Sequence, residues 1–160
     1  MSSTESPAEL LAHIDKTLVL LQRVHDEYRR FLAGDLRLLG RKNTTAIVIA
    51  ELMVDYYTCL ETLFLRISQY FENHLDQKRW HADLLERMTL HIEGVRHPVV
   101  SDETARHLGE LMKFRHFRRY YFELEYDWDK LEYLQKVLER VAAGVPADLG
   151  VFRSFVLRLI

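Results

Sequence analysis

The stretch Ala50-Glu51-Leu52-Met53-Val54-Asp55-Tyr56-Tyr57-Thr58-Cys59-Leu60-Glu61-Thr62-Leu63-Phe64-Leu65-Arg66-Ile67-Ser68-Gln69-Tyr70-Phe71 decides the fold. Ala50, Met53, Tyr57, Leu60, Phe64, Ile67 and Phe71 recur at spacings of three and four, which places them on one face of an α-helix. With its flanks the pattern predicts a long helix from about Thr44 to Asn73. Glu61 lies on this same face, one turn from Tyr57 and one from Phe64. A carboxylate is costly to bury unless it meets a cation. Glu61 therefore either has a basic partner on another helix or flanks the stripe and reaches water.

Further helices follow on both sides. Ser6 is a good N-cap, with Pro7 at the first helical position and Glu9 at the third, so a first helix runs from Ser6 to about Gly34. Leu11, Ile14, Leu18, Leu21, His25 and Tyr28 form its stripe, and His25 reads as a hydrogen-bonded residue between helices. Gly40-Arg41-Lys42-Asn43 is a basic linker. Beyond the central helix, Trp80, Leu84, Leu85 and Met88 mark a shorter one over about Asp76–His91, before Gly94 and Pro98. Ser101 and Asp102 offer N-caps for a fourth helix, which carries Leu108, Leu111 and Phe114. A fifth is predicted from Asp127 to Ala143, stopping at Gly144, and Ala147–Ile160 is either a sixth helix or a partner-binding tail. The expectation is an all-α, up-and-down antiparallel bundle of four main helices plus shorter C-terminal helices, in a single domain over 1–160.

Composition fits this architecture. Only six glycines and three prolines interrupt 160 residues that are 48% hydrophobic and 29% charged, which favours long helices over many short strands. The lone cysteine, Cys59, excludes an internal disulfide and reads as core packing. The polar, acidic N-terminus resembles no secretory signal, and no apolar run reaches the ~18 residues needed to span a bilayer. A cytoplasmic protein with no membrane partner is expected. The catalogue of chemical motifs excludes more than it finds. No glycine-rich phosphate loop, Gly-x-Ser-x-Gly or His-Glu-x-x-His is present, and the eight histidines lack metal-ligand spacing, so no metal or cofactor is expected.

Chemistry concentrates in Met112–Leu131. Lys113, Arg115, His116, Arg118 and Arg119 fall within two helical turns, followed by Glu123, Glu125, Asp127 and Asp129. With a formal net charge of -2 the chain exerts no long-range pull on nucleic acid, so anion binding has to be local. Arg115, Arg118, Arg119 and Phe122 share one helix face, and Phe114, Phe117 and Tyr121 a neighbouring one. Guanidinium groups fork onto phosphate and stack on bases, and Tyr120, Tyr121 and Phe122 can stack as well, a surface suited to single-stranded RNA. Alternatively, the arginines pair with the acidic run nearby or across a dimer.

Several pieces together resemble a known family. Asp55–Ile67, Arg79–Met88 with Trp80-His81, Val95–Val100 with Arg96-His97-Pro98, Phe114-Arg115-His116 and Leu124–Trp128 are similar, in order and spacing, to the HepT-like proteins of the HEPN superfamily. The resemblance covers about half the chain, from Tyr56 to Leu131. It implies a helical bundle, usually a homodimer, that serves as the toxin of a toxin–antitoxin pair whose partner is a minimal nucleotidyltransferase. It also implies an endoribonuclease that cuts its RNA substrate without metal, through an Arg-x4-His-x-Tyr motif whose tyrosine the antitoxin can modify with AMP. Arg115 matches the motif arginine, but the histidine position is Tyr120 and the tyrosine position is Phe122. A phenol with an ordinary pKa of about 10 is a poor substitute for imidazole, and phenylalanine cannot accept AMP.

The candidate site residues are accordingly Arg115, His116 and Tyr120 for catalysis, Arg118, Arg119 and Tyr121 for RNA contacts, and Glu61 to orient Arg115. The alternative is a non-catalytic helical module that binds a nucleotidyltransferase or RNA through the same surface. A purely structural bundle, its arginines closing dimer salt bridges, is a third reading.

Overall fold

The structure, a computed structural model, describes residues 4–72, 80–120 and 125–160. Six helical segments are described: α1 (Pro7–Ala33), α2 (Asp35–Leu39), α3 (Asn43–Phe71), α4 (Trp80–Arg87), α5 (Asp102–Tyr120) and α6 (Trp128–Leu157). Among the described residues none of these helices is long and apolar enough to cross a membrane.

Local chemistry sets the starts of the long helices. The Ser6 hydroxyl accepts from Glu9 N at 3.2 Å while the Glu9 carboxylate accepts from Ser6 N at 2.7 Å, so two otherwise orphaned donors of α1 are satisfied reciprocally. Before α3 the chain turns at Gly40, whose φ of 76° is the left-handed conformation that favours glycine. The Thr45 hydroxyl then accepts from Lys42 N at 2.9 Å and ties the first turn down. At α5 the Ser101 hydroxyl accepts from Thr104 N at 3.1 Å, and at α6 Asp127 accepts from Asp129 N at 2.9 Å.

Ion pairs and hydrogen bonds between helices give the directions. Along α1, Asp15 meets Arg153 and His25 meets Glu139, so α1 and α6 run antiparallel. Glu5, just before α1, meets Arg66 near the end of α3, which makes α1 and α3 antiparallel too. Arg118 pairs with Glu51 and Arg115 with Glu61, reversing direction again between α3 and α5. Ser101 N donates to Asp148, setting the start of α5 beside the far half of α6. The long helices thus close a ring in the order α1, α3, α5, α6, each antiparallel to its neighbours. Leu10, Ile14, Leu21 and Tyr28 of α1, Ile49, Met53, Leu60 and Phe64 of α3, Leu108 and Leu111 of α5, and Leu134, Val141, Leu149 and Phe152 of α6 fill the interior.

The C-terminal third departs from expectation. Asp127–Ala143 and Ala147–Ile160 are not two elements; one helix of 30 residues runs through Gly144 and Pro146. Gly144 is there for contact with α5, since a Cβ at this position would lie 2.8 Å from Thr104 Oγ1. Pro146 removes one helical hydrogen bond and costs about 3 kcal/mol in a helix interior. The continuous buried row Val141, Val145, Leu149, Phe152 and Val156 outweighs it at ~1.5–3 kcal/mol per side chain. Among the described residues the bundle therefore has four long helices with short α2 and α4 between them, and the predicted shorter C-terminal helices are part of α6.

The helix predicted over Asp76–His91 is described only from Trp80 and ends earlier, at Arg87. Arg96 is the reason. Its fully buried guanidinium donates to the carbonyls of Arg87 at 2.7 Å and Leu90 at 3.0 Å and to the Glu72 carboxylate at 2.7 Å, while Val99 N takes the Met88 carbonyl at 2.8 Å. Carbonyls that would have needed further turns of α4 are satisfied from outside it.

Candidate functional site

Two apolar stripes each carry one charged residue, and the packing brings the two together. On α5, Arg115 continues the row Thr104, Leu108, Leu111, all buried. On α3, Glu61 lies between Tyr57 and Phe64 and is 7% exposed. Because α3 and α5 are antiparallel neighbours, the two residues meet across the bundle: Arg115 Nη2 donates to Glu61 Oε1 at 2.9 Å and Oε2 at 2.8 Å. The cost of burying the carboxylate is offset by a charge-assisted pair.

Other contacts hold Arg115 in place. Nη1 donates to the Thr58 hydroxyl at 3.2 Å, and the guanidinium carbon sits 4.7 Å from the centre of the Tyr57 ring, within cation–π range. The Tyr57 hydroxyl is buried and has no hydrogen-bond partner among the described residues. Burial, and then the Glu61 charge, push its phenol well above the ordinary tyrosine range, so Tyr57 stays neutral under Arg115.

A third helix contributes His81, from the first turn of α4. Its Nδ1 lies 2.9 Å from Glu61 Oε2 and 3.3 Å from Arg115 Nη2. An ionised carboxylate only accepts, so Nδ1 carries the proton and donates to Glu61. One buried carboxylate is thus shared between a guanidinium and an imidazole. Two members of this cluster, His81 and Arg115, border a cavity of about 780 Å³ lined also by Val54, Thr58, Met112, Lys113, His116, Phe117 and Arg118, with Glu61 behind them.

The structure brings Glu61 and Arg115 into direct contact and places His116 and Arg118 on the wall of the same cavity. Arg118 pairs with Glu51 on α3. Asp55, one turn from Glu51, has its carboxyl held above the ordinary value by burial and by Glu51, with Arg118 acting against them. Arg119 and Tyr120 belong to the last turn of α5, but their side chains, and Tyr121 and Phe122 altogether, lie outside the described residues. Among the described residues no three His, Cys, Asp or Glu side chains come together in a way that could hold a metal ion.

His81 is the member of the cluster that was not singled out as a site residue. Its only signal is Trp80-His81 within one of the family-like stretches. A separation of 20 residues from Glu61, across a chain reversal, gives no periodicity to follow.

The family model described as HepT-like protein matches residues 48–156, from the first turns of α3 to the last turn of α6, and includes Glu61, His81 and Arg115. No curated protein and no solved structure matches the chain. A match over more than half of its length makes this chain a member of the HepT-like protein family.

Proposed function

We propose that this HepT-like chain is the toxin of a toxin–antitoxin module: an endoribonuclease that needs no metal, works in the cytoplasm as a homodimer, and is controlled by a minimal nucleotidyltransferase. The observation that carries the reading is Arg115, its guanidinium locked on Glu61 at the wall of a cavity that Lys113 and His116 also line. Cleavage of RNA through its own 2'-hydroxyl asks for a group to handle a proton and for cations where phosphate charge builds up. Arg115 and Lys113 supply the cations, and the cavity walls supply imidazole. Arg118 extends the basic surface along α5.

A second reading has its own support. Tyr120 replaces the motif histidine, and both Arg115 and Arg118 already pair with carboxylates of α3. Such a chain is a non-catalytic module that binds RNA or a nucleotidyltransferase. Metal-free incubation of a mixed RNA with the protein and with Arg115→Ala separates the two. Cleavage by the parent alone, leaving 2',3'-cyclic phosphate ends, supports the ribonuclease; no cleavage by either, with RNA or partner affinity lost in Arg115→Ala, supports the binding module.

A further inference from the structure

We propose that His81 is the base of the reaction, so that the imidazole missing at position 120 is supplied from α4. The assignment rests on the ribonuclease reading above and adds to it a residue from a different helix.

His81 lines the same cavity as Arg115 and lies 3.3 Å from its Nη2, so a phosphate held by that guanidinium is within reach of the imidazole. Glu61 fixes the ring: with Nδ1 donating to the carboxylate at 2.9 Å, the neutral imidazole carries its lone pair on Nε2. A carboxylate that orients an imidazole and stabilises its protonated form is the recurring support for a histidine base. Glu61 does this while also holding Arg115, so one buried carboxylate aligns both the proton acceptor and the phosphate-binding cation. His116 lies on α5 itself, about 100° around the helix from Arg115. It lines the same cavity.

In the step, the 2'-hydroxyl oxygen forms its bond to phosphorus as its proton passes to Nε2 of His81. The bond from phosphorus to the 5'-oxygen breaks, and that oxygen takes a proton from His116. The products are a 2',3'-cyclic phosphate and a 5'-hydroxyl. No metal, oxidant or co-reactant enters the balance.

The test uses the full chain with chelator present. His81→Asn keeps an N–H directed at Glu61 and removes the base; His81→Ala opens space for added imidazole. Binding is read separately with an oligonucleotide lacking 2'-hydroxyls, which cannot be cut. The expected result is cleavage slowed by about 10²–10⁴-fold in His81→Asn, with melting temperature and oligonucleotide affinity unchanged, and recovery of His81→Ala by free imidazole. Parent-like cleavage by His81→Asn, with Arg115→Ala inactive, overturns the assignment and leaves the ribonuclease reading standing. Slower cleavage matched by weaker binding and no imidazole rescue makes His81 a positioning residue and also overturns it. A parent that does not cut RNA removes both.

Discussion

Arg96 and Glu72 form an ion pair at 2.7 Å with side chains 0% and 7% exposed, and the two Nη groups of Arg96 also donate to the backbone carbonyls of Leu90 and Arg87. This pair joins the end of α3, which carries Glu61, to the loop that follows α4, the helix that carries His81. Arg96→Met keeps the volume and removes the charge. It leaves a buried carboxylate with, among the described residues, only Arg87, at 3.6 Å, and strips donors from the carbonyls of Arg87 and Leu90. The expected loss is about 3–5 kcal/mol, read from the midpoint of urea unfolding.

Gly144 and Thr104 make a prediction whose sign depends on background. In an open helix, Gly→Ala stabilises by about 1 kcal/mol. At Gly144 the new methyl would meet Thr104 Oγ1 at 2.8 Å, and overpacking costs ~1–3 kcal/mol. Gly144→Ala should therefore lower the melting temperature of the parent and raise that of a Thr104→Ala variant. Thermal unfolding of the four proteins in the cycle decides it, and an increase in both backgrounds would show that α5 and α6 are not in close contact there.

Asp55 sets a pH dependence. Burial first, and then Glu51, raise its carboxyl above the ordinary value, so ionisation is harder in the folded chain than in the unfolded one. A raised folded value favours the fold below the unfolded pKa of about 3.9, and that contribution is lost as pH rises through the folded value. Asp55→Asn should therefore gain stability at neutral pH and none near pH 3. The residue is largely exposed, which limits the gain to less than ~1 kcal/mol. Urea titrations at the two pH values measure the difference.

Glu61→Gln separates binding from alignment. Removing the charge frees Arg115 from its counter-ion, so affinity for an uncleavable RNA analogue should hold or rise, while cleavage by the proposed ribonuclease should fall at least ~10-fold through loss of orientation. Equal cleavage rates for parent and variant, with unchanged affinity, would count against an orienting role.

Most of the fold was legible because its signals are local. The Ser6 and Glu9 capping box, the stripe from Ala50 to Phe71 and the Ser101 cap each act within a few residues. The break expected at Gly144 was misleading for the opposite reason: that glycine answers to Thr104, forty residues earlier in the chain. The site divides in the same way. Glu61 on an apolar stripe calls for a cation, yet periodicity on one helix could not choose between Arg115 and water. His81 has no periodic relation to either residue and joins them only when α4 folds back on α3.

The packing of α1 bears on where this molecule can be cut. The family match begins at residue 48 and omits α1 entirely. Yet Leu10, Ile14, Leu21 and Tyr28 are each 1% exposed or less, covered by α3 and α6. Four such side chains are worth about 6–12 kcal/mol of burial, against a whole-domain stability of ~5–15 kcal/mol. The matched residues alone would present an open, greasy trough along two helices and would clump rather than fold, so the boundary of kinship is not a boundary of folding.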